Sequence, residues 1–251
     1  MTIRSIVCPS GLRGEVRSFK VREYDILADR RVARRADWVD TILANCWQRT
    51  LDPGPYAFEG APDRTNEIDW SQVLQGDRFY ALMQIRIASF GSDYDFDATC
   101  QRCQERIPWT VPLTDLPVKP LPDESVERFR QGNRFETILP GCGTRVVFRL
   151  VTGADEKRFA RQRREHGDAL WTLGMLMRLV EVEGTTKRRE FIRELDVDDA
   201  EFLRAEFDRV DGGVETSIEI ECGSCYAVQT VELPFDERFF LQDRRKRSSP
   251  T

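Results

Sequence analysis

The sequence predicts an α+β fold, and three of its features carry that prediction. Short runs that alternate apolar and polar residues, bounded by Gly and Pro, mark strands. Longer runs with apolar residues three and four apart mark helices. Two Cys-x-x-Cys pairs, Cys100/Cys103 and Cys222/Cys225, stand far apart in the chain, each between two strand-like runs. At 251 residues the chain suits one body or two closely joined lobes. Its 15 Phe and 5 Trp supply the large apolar anchors that a disordered chain lacks.

Taken in order, residues 3–19 read as a hairpin turning through Pro9-Ser-Gly-Leu-Arg-Gly14. Val21 to Arg30 reads as a short helix. Ala33 to Arg49 reads as a longer one, with Trp38, Val39, Ile42, Leu43 and Cys46 on one face and Cys46 a core residue. Leu51 to Asp69 has the composition of a loop, and Trp70 or Ser71 opens a short helix. Asp77 to Gly91 is a helix apolar nearly all round, with Gly91 suited to the residue after its end. Leu113 to Glu124, rich in Pro, is expected to be extended. Phe135 to Leu139 and Thr144 to Val151 form a hairpin that puts Cys142 at a loop tip. Helices are expected over Asp155 to Glu165, Leu170 to Val182 (buried) and Asp199 to Val210, with Asp196, Asp198 and Asp199 as N-capping carboxylates. Asp243-Arg-Arg-Lys-Arg247 reads as part of a solvated basic tail.

Seven cysteines, an odd number in a chain with no export signal at its start, argue against a disulfide framework. Thr99-Cys-Gln-Arg-Cys and Glu221-Cys-Gly-Ser-Cys read as two copies of one device, each at the tip of a hairpin. Face to face, two such knuckles offer four thiolates to a tetrahedral ion, the arrangement of a structural zinc ribbon. A redox role would need a pair at a helix N-terminus, and these sit between strands. Four thiolates saturate zinc and leave no position for a reacting water, so the site fixes structure. The predicted fold is therefore an N-terminal hairpin and helices (1–92), a split zinc ribbon (93–116 plus 215–235), a long, mostly helical α+β insertion (117–214) and a basic tail (242–251). The expected metal ligands are Cys100, Cys103, Cys222 and Cys225, and the expected cofactor is structural Zn.

No enzyme is visible. His166 is the lone histidine, which excludes His-Glu-x-x-His sites, and its expected place at a helix end argues against catalysis. No Gly-x-Ser-x-Gly, Walker or Gly-x-Gly-x-x-Gly motif occurs, and no small-molecule substrate is implied. Asp93, Asp95 and Asp97 share one strand face but lack the Gly and terminal Glu of an EF-hand loop, so they read as a solvated face over Tyr94 and Phe96. With 38 basic and 43 acidic residues the formal charge is −5, which disfavours nucleic acid as a partner. Arg102 and Arg106 beside the first knuckle keep a nucleic-acid-binding zinc ribbon as the alternative, against Glu219 and Glu221 beside the second. No apolar run reaches the roughly 18 residues needed to cross a bilayer, so a soluble, intracellular protein is expected.

Several words in the chain are similar to those of one known family. Pro9-Ser-Gly-Leu-Arg-Gly14, Trp70-Ser-x-Val-Leu74, Gly76-Asp-Arg-Phe79, Leu82-Met-Gln-Ile-Arg-Ile87, Tyr94-Asp-Phe-Asp97 and Leu113-Thr-Asp-Leu-Pro117 resemble the T4-type bacteriophage base plate protein family. The resemblance implies a role in building the baseplate hub of a contractile tail, as an assembly factor or a built-in subunit. It implies hub and other tail proteins as partners, in the host cytoplasm during assembly or in the virion tail baseplate. It brings no catalytic residues.

Overall fold

The computed structural model describes residues 2–28, 38–58, 68–166, 170–234 and 239–240. The first two runs of alternation form β1 (Ile3–Val7) and β2 (Arg13–Arg17), antiparallel, with Ile3 opposite Arg17 and Val7 opposite Arg13. Gly11 turns the corner at φ 94°, a backbone state that L side chains disfavour. A third strand, β3 (Trp47–Asp52), pairs with β2 to complete the sheet. The sequence reading of a helix through Arg49 and a loop from Leu51 is corrected here. Helix α2 (Trp38–Cys46) follows α1 (Val21–Ala28) and stops where Trp47 packs its ring on the bare backbone of Gly14. Strand pairing at that point overrides helical periodicity.

Helix α3 (Gln75–Phe90) packs against α2, β1 and β2, and ends at Gly91, φ 91°, whose N–H donates to the Ile87 carbonyl. Ala81, Leu82, Met83, Ile85 and Ile87 are buried as expected, but Asp77, Arg78 and Arg86 are buried with them. Then come β4 (Asp93–Thr99) and β5 (Arg106–Pro112), an antiparallel pair. The proline-rich stretch is not wholly extended. A short strand β6 (Val118–Lys119) leads into helix α4 (Asp123–Arg130), which has Asp123 and Glu124 in its first turn and Arg128 and Arg130 in its last, matching the helix dipole.

The second three-stranded sheet is β7 (Phe135–Ile138), β8 (Arg145–Phe148) and β9 (Leu179–Val182). The expected hairpin is present, and Cys142 is exposed near its tip. Helix α5 (Gly153–His166) ends at the lone histidine. The single buried helix expected over Leu170 to Val182 is instead α6 (Leu170–Arg178) followed directly by β9, whose Val182 lies opposite Val146. A free sheet edge beside β8 makes strand the better use of Val180 and Val182. Helix α7 (Arg188–Glu194) was not foreseen, and α8 (Val197–Val210) buries Leu203 and Phe207. Asp196 takes the N-cap position without a side-chain capping bond, and Asp199 reaches away to accept the N–H groups of Gly141 (2.7 Å) and Cys142 (2.9 Å). The expected capping carboxylates are therefore corrected: Asp199 staples the β7–β8 turn to α8.

Strand β10 (Gly213–Val214) pairs with β6, and β11 (Ser217–Glu221) with β12 (Val228–Glu232). One buried cluster runs from Ile6 and Trp47 through α3 to Phe148, Phe207 and Phe240. No described helix is long and apolar enough to cross a membrane. Residues 242–251, read as a basic tail, lie outside the described residues.

Candidate metal centre

The hairpin tips β4–β5 and β11–β12 are built alike. In the first, Cys100 N donates to Glu105 O (2.8 Å), Gln104 N donates to Cys100 O (2.9 Å), and Gln104 has φ 61°. In the second, Cys222 N donates to Ala227 O (3.0 Å), Tyr226 N donates to Cys222 O (2.9 Å), and Tyr226 has φ 57°. In each knuckle the residue after the second cysteine takes the left-handed state that bends the chain back. The duplication read from the words around the cysteines is thus a duplication of backbone geometry.

The two tips meet. Cys100 Sγ lies 3.6 Å from Cys225 Sγ, Cys103 Sγ lies 3.7 Å from Cys222 Sγ, and all four sulfurs lie within 4.8 Å of one another. Zinc bound at about 2.3 Å by four thiolates has sulfur–sulfur edges of about 3.8 Å. The donor set fits that ion, and the two closest sulfur pairs already stand at its edge length. Cys100 and Cys222 are buried beside Ile107 and Ile220, while Cys103 is exposed. Gln229 spans the tips, accepting the Gln101 N–H (2.8 Å) and donating to Thr99 O (3.0 Å).

The sulfurs are electrostatically unequal. Backbone N–H groups led by that of Cys103, with neighbouring thiols, hold Cys100 down at about 6. The Glu105 N–H favours the Cys103 thiolate, but lost solvation and three adjacent sulfurs push it up to about 12. The two shifts differ in sign because ionising one sulfur opposes ionising the next.

The other candidates sit elsewhere. Asp93, Asp95 and Asp97 are exposed, with Tyr94 and Phe96 buried behind them, the solvated face the alternation implied. Asp97 pairs with Arg106 at 2.5 Å, and Asp95 accepts Thr110 Oγ1 at 2.7 Å. Arg106, one of the two cations behind the nucleic-acid alternative, is thus already engaged. Cys8 and Cys46 are buried core residues, Cys46 with its thiol pushed up to about 12 by burial.

Sequence reasoning missed a buried polar network that joins three of the family-like words. Asp77 accepts Ser10 N (2.9 Å), Ser10 Oγ and Tyr56 OH (2.6 Å), and Tyr56 OH in turn accepts Leu74 N (3.1 Å). Ser10, Asp77 and Tyr56 are each buried. Nearby, Arg78 donates to Trp70 O (2.5 Å) and pairs with Asp40 (2.7 Å) and Glu156 (3.0 Å). Arg86 donates to Gly91 O (2.6 Å) and Asp93 O (2.8 Å), with its guanidinium over the packed rings of Tyr94 and Phe239. A Ser, Asp or Arg within an otherwise apolar word was the available sign of this.

Comparison with known proteins agrees with these words. The family model described as T4 bacteriophage base plate protein matches residues 2–241, a span that includes both knuckles and everything between them. No curated protein and no solved structure matches the chain. A match over nearly the whole length places the chain in the T4 bacteriophage base plate protein family, whose role is structural, in the phage tail.

Proposed function

We propose that this chain is a non-enzymatic component of the baseplate hub of a contractile, phage-type tail, acting as a built-in subunit or as a factor that assembles it. The family match over residues 2–241 carries this reading. A structural zinc held by Cys100, Cys103, Cys222 and Cys225 completes it, supported by the sulfur spacing. Bound there, the ion supplies cross-linking rather than chemistry. The ribbon segments 93–116 and 215–235 then form a clasp at the base of the insertion, 117–214, which offers surface to hub and tail proteins. Such a protein works in the host cytoplasm during assembly or in the finished tail.

The test is genetic and compositional. Deleting the coding sequence from the source phage or prophage leaves tails without complete baseplates, and mass spectrometry of wild-type particles separates subunit from helper. Complete, infectious tails in the deletion strain would refute the proposal. Salt-sensitive retention of DNA or RNA by the purified chain would favour the zinc-ribbon nucleic-acid reading instead.

A further inference from the structure

Strand β1 is one edge of the first sheet: β2 lies on one side of it and, among the described residues, no strand lies on the other. Two bonds fix which of its peptide groups face outward. Cys8 N donates to Leu12 O (2.8 Å) and Ser18 N donates to Thr2 O (2.9 Å), both in the register that sets Ile3 opposite Arg17. Bonded pairs alternate along an antiparallel ladder, so Arg4 and Ile6 bond to β2 while the N–H and C=O groups of Ile3, Ser5 and Val7 point to the open edge. The side chains follow the same alternation. Ile6 is buried, whereas Ile3 (50%), Ser5 and Val7 (57%) are exposed. Sheet edges are commonly guarded by a charge, a proline or a bulge. None of these three positions carries one, in a chain with 32% charged residues.

The charges beside this strip are already matched within the chain. Arg13, Glu15 and Arg17 lie opposite Val7, Ser5 and Ile3, and pair with Asp52 (3.5 Å), Arg49 (2.8 Å) and Glu23 (2.8 Å). A charged strand laid along the edge would set its charge against Ile3 or Val7, so the strip selects a neutral one. A second β1 fits that description. Run antiparallel about Ser5, it sets Ile3 of one copy opposite Val7 of the other and Ser5 opposite Ser5, and every outward N–H meets an outward C=O. Arg4 then faces Ile6 of the other copy, so no like charges are opposed. The same patch serves both copies, the isologous contact of a two-fold dimer.

We propose that two copies of this chain pair through β1, joining their three-stranded sheets into one. A contact one strand long falls below the roughly 1,200 Å² of a standard interface, so a dissociation constant of about 10–100 µM is expected. Sedimentation equilibrium of the purified full chain from about 1 µM to about 500 µM reads the association, and hydrogen exchange at both ends of that range reads its place. The amides of Ile3, Ser5 and Val7 gain about fivefold protection at high concentration, while those of Arg4 and Ile6 are protected at both. Ser5→Pro removes an outward N–H that β2 does not use, and Val7→Lys puts a charge opposite Ile3; each weakens dimerisation by about tenfold or more. Leu51→Lys, the same charge at an exposed site on β3, the sheet's other edge, stays within about twofold of wild type. Melting curves verify folding, and Val7→Lys, at an exposed side chain, carries the test if Ser5→Pro unfolds. A monomer across the whole range, the result expected if another protein's strand takes this edge, would overturn the proposal. So would protection gained without the alternation, or an equal loss in Leu51→Lys. The assay needs no tail particle, so its failure is distinct from failure of the baseplate reading.

Discussion

Chelating the zinc proposed at the four-cysteine cluster is expected to melt the two knuckles while leaving the main core folded. Without an ion, the tips are held by two small antiparallel pairs, the Gln229 bonds, and a cluster in which Ile107 and Ile220 are the buried aliphatic residues. Burying two isoleucines contributes about 4 kcal/mol. Ordering the two knuckles, 100–105 and 222–227, costs about 1–2 kcal/mol per residue, on the order of 12–24 kcal/mol together. The shortfall of about 8–20 kcal/mol brackets the roughly 10–16 kcal/mol that a structural zinc provides. The bases of the hairpins are secured differently, by Tyr94 and Phe96 packed in the main cluster. Hydrogen exchange with and without a chelator measures this directly. The amides of Cys100, Gln104, Cys222 and Tyr226 lose protection, while those of α3 keep theirs. Metal analysis of the untreated protein gives about one zinc per chain. Unchanged exchange at the four knuckle amides after complete chelation would refute the reasoning.

Three further outcomes follow from the buried charges and close approaches. Tyr56→Phe leaves Asp77 short of a donor and the Leu74 N–H without its acceptor, and is expected to cost about 2–4 kcal/mol in urea unfolding. Glu23 is raised by burial, but bonds from Arg17, Arg22 and the Lys20 N–H outweigh this and lower it from 4.5 to about 2. Its stabilisation is complete above about 4.5 and is lost as pH falls toward 2, a loss on the order of 3 kcal/mol. Asp77 acts in the opposite sense, since burial raises its pKa and its contribution is lost as pH rises through that value. Comparing acid unfolding of wild type and Glu23→Gln isolates the Glu23 share, and superimposable profiles would contradict it. Gly76→Ala drives a Cβ into the Gly212 carbonyl oxygen at the β10 approach, and calorimetry is expected to show a melting temperature lower by several degrees, for a cost of about 1–3 kcal/mol.

The words shared with the family gain a physical meaning from the fold. Ser10 from the first and Asp77 from the third bond to each other, and Trp70 from the second gives its carbonyl to Arg78. Gly14 admits the Trp47 ring, and Gly76 admits the Gly212 backbone. Arg86, from the fourth, ties the end of α3 and the start of β4 to Phe239. These residues join distant parts of the chain. A reading that finds structure rather than chemistry in them agrees with a baseplate role.

Local spacing was enough to read the α+β character, the first hairpin, the helix before Gly91 and both knuckles, because turn residues, periodicity and Cys-x-x-Cys spacing act within a few residues of one another. It could not read β3 or β9. Trp47 and Leu179 follow helices without a breaker, and only the vacant sheet edges beside β2 and β8 turn them into strands. Nor could it show that Asp77, Arg78 and Arg86 are buried, since a charge on a helix looks solvated until its partners arrive from 67, 78 and 153 positions away. The pairing of cysteines separated by 118 residues was inferred from likeness of sequence, but the separation of the sulfurs depends on how every element between them packs. Short-range preference wrote the pieces, and burial, which acts only between surfaces already brought together, decided where they meet.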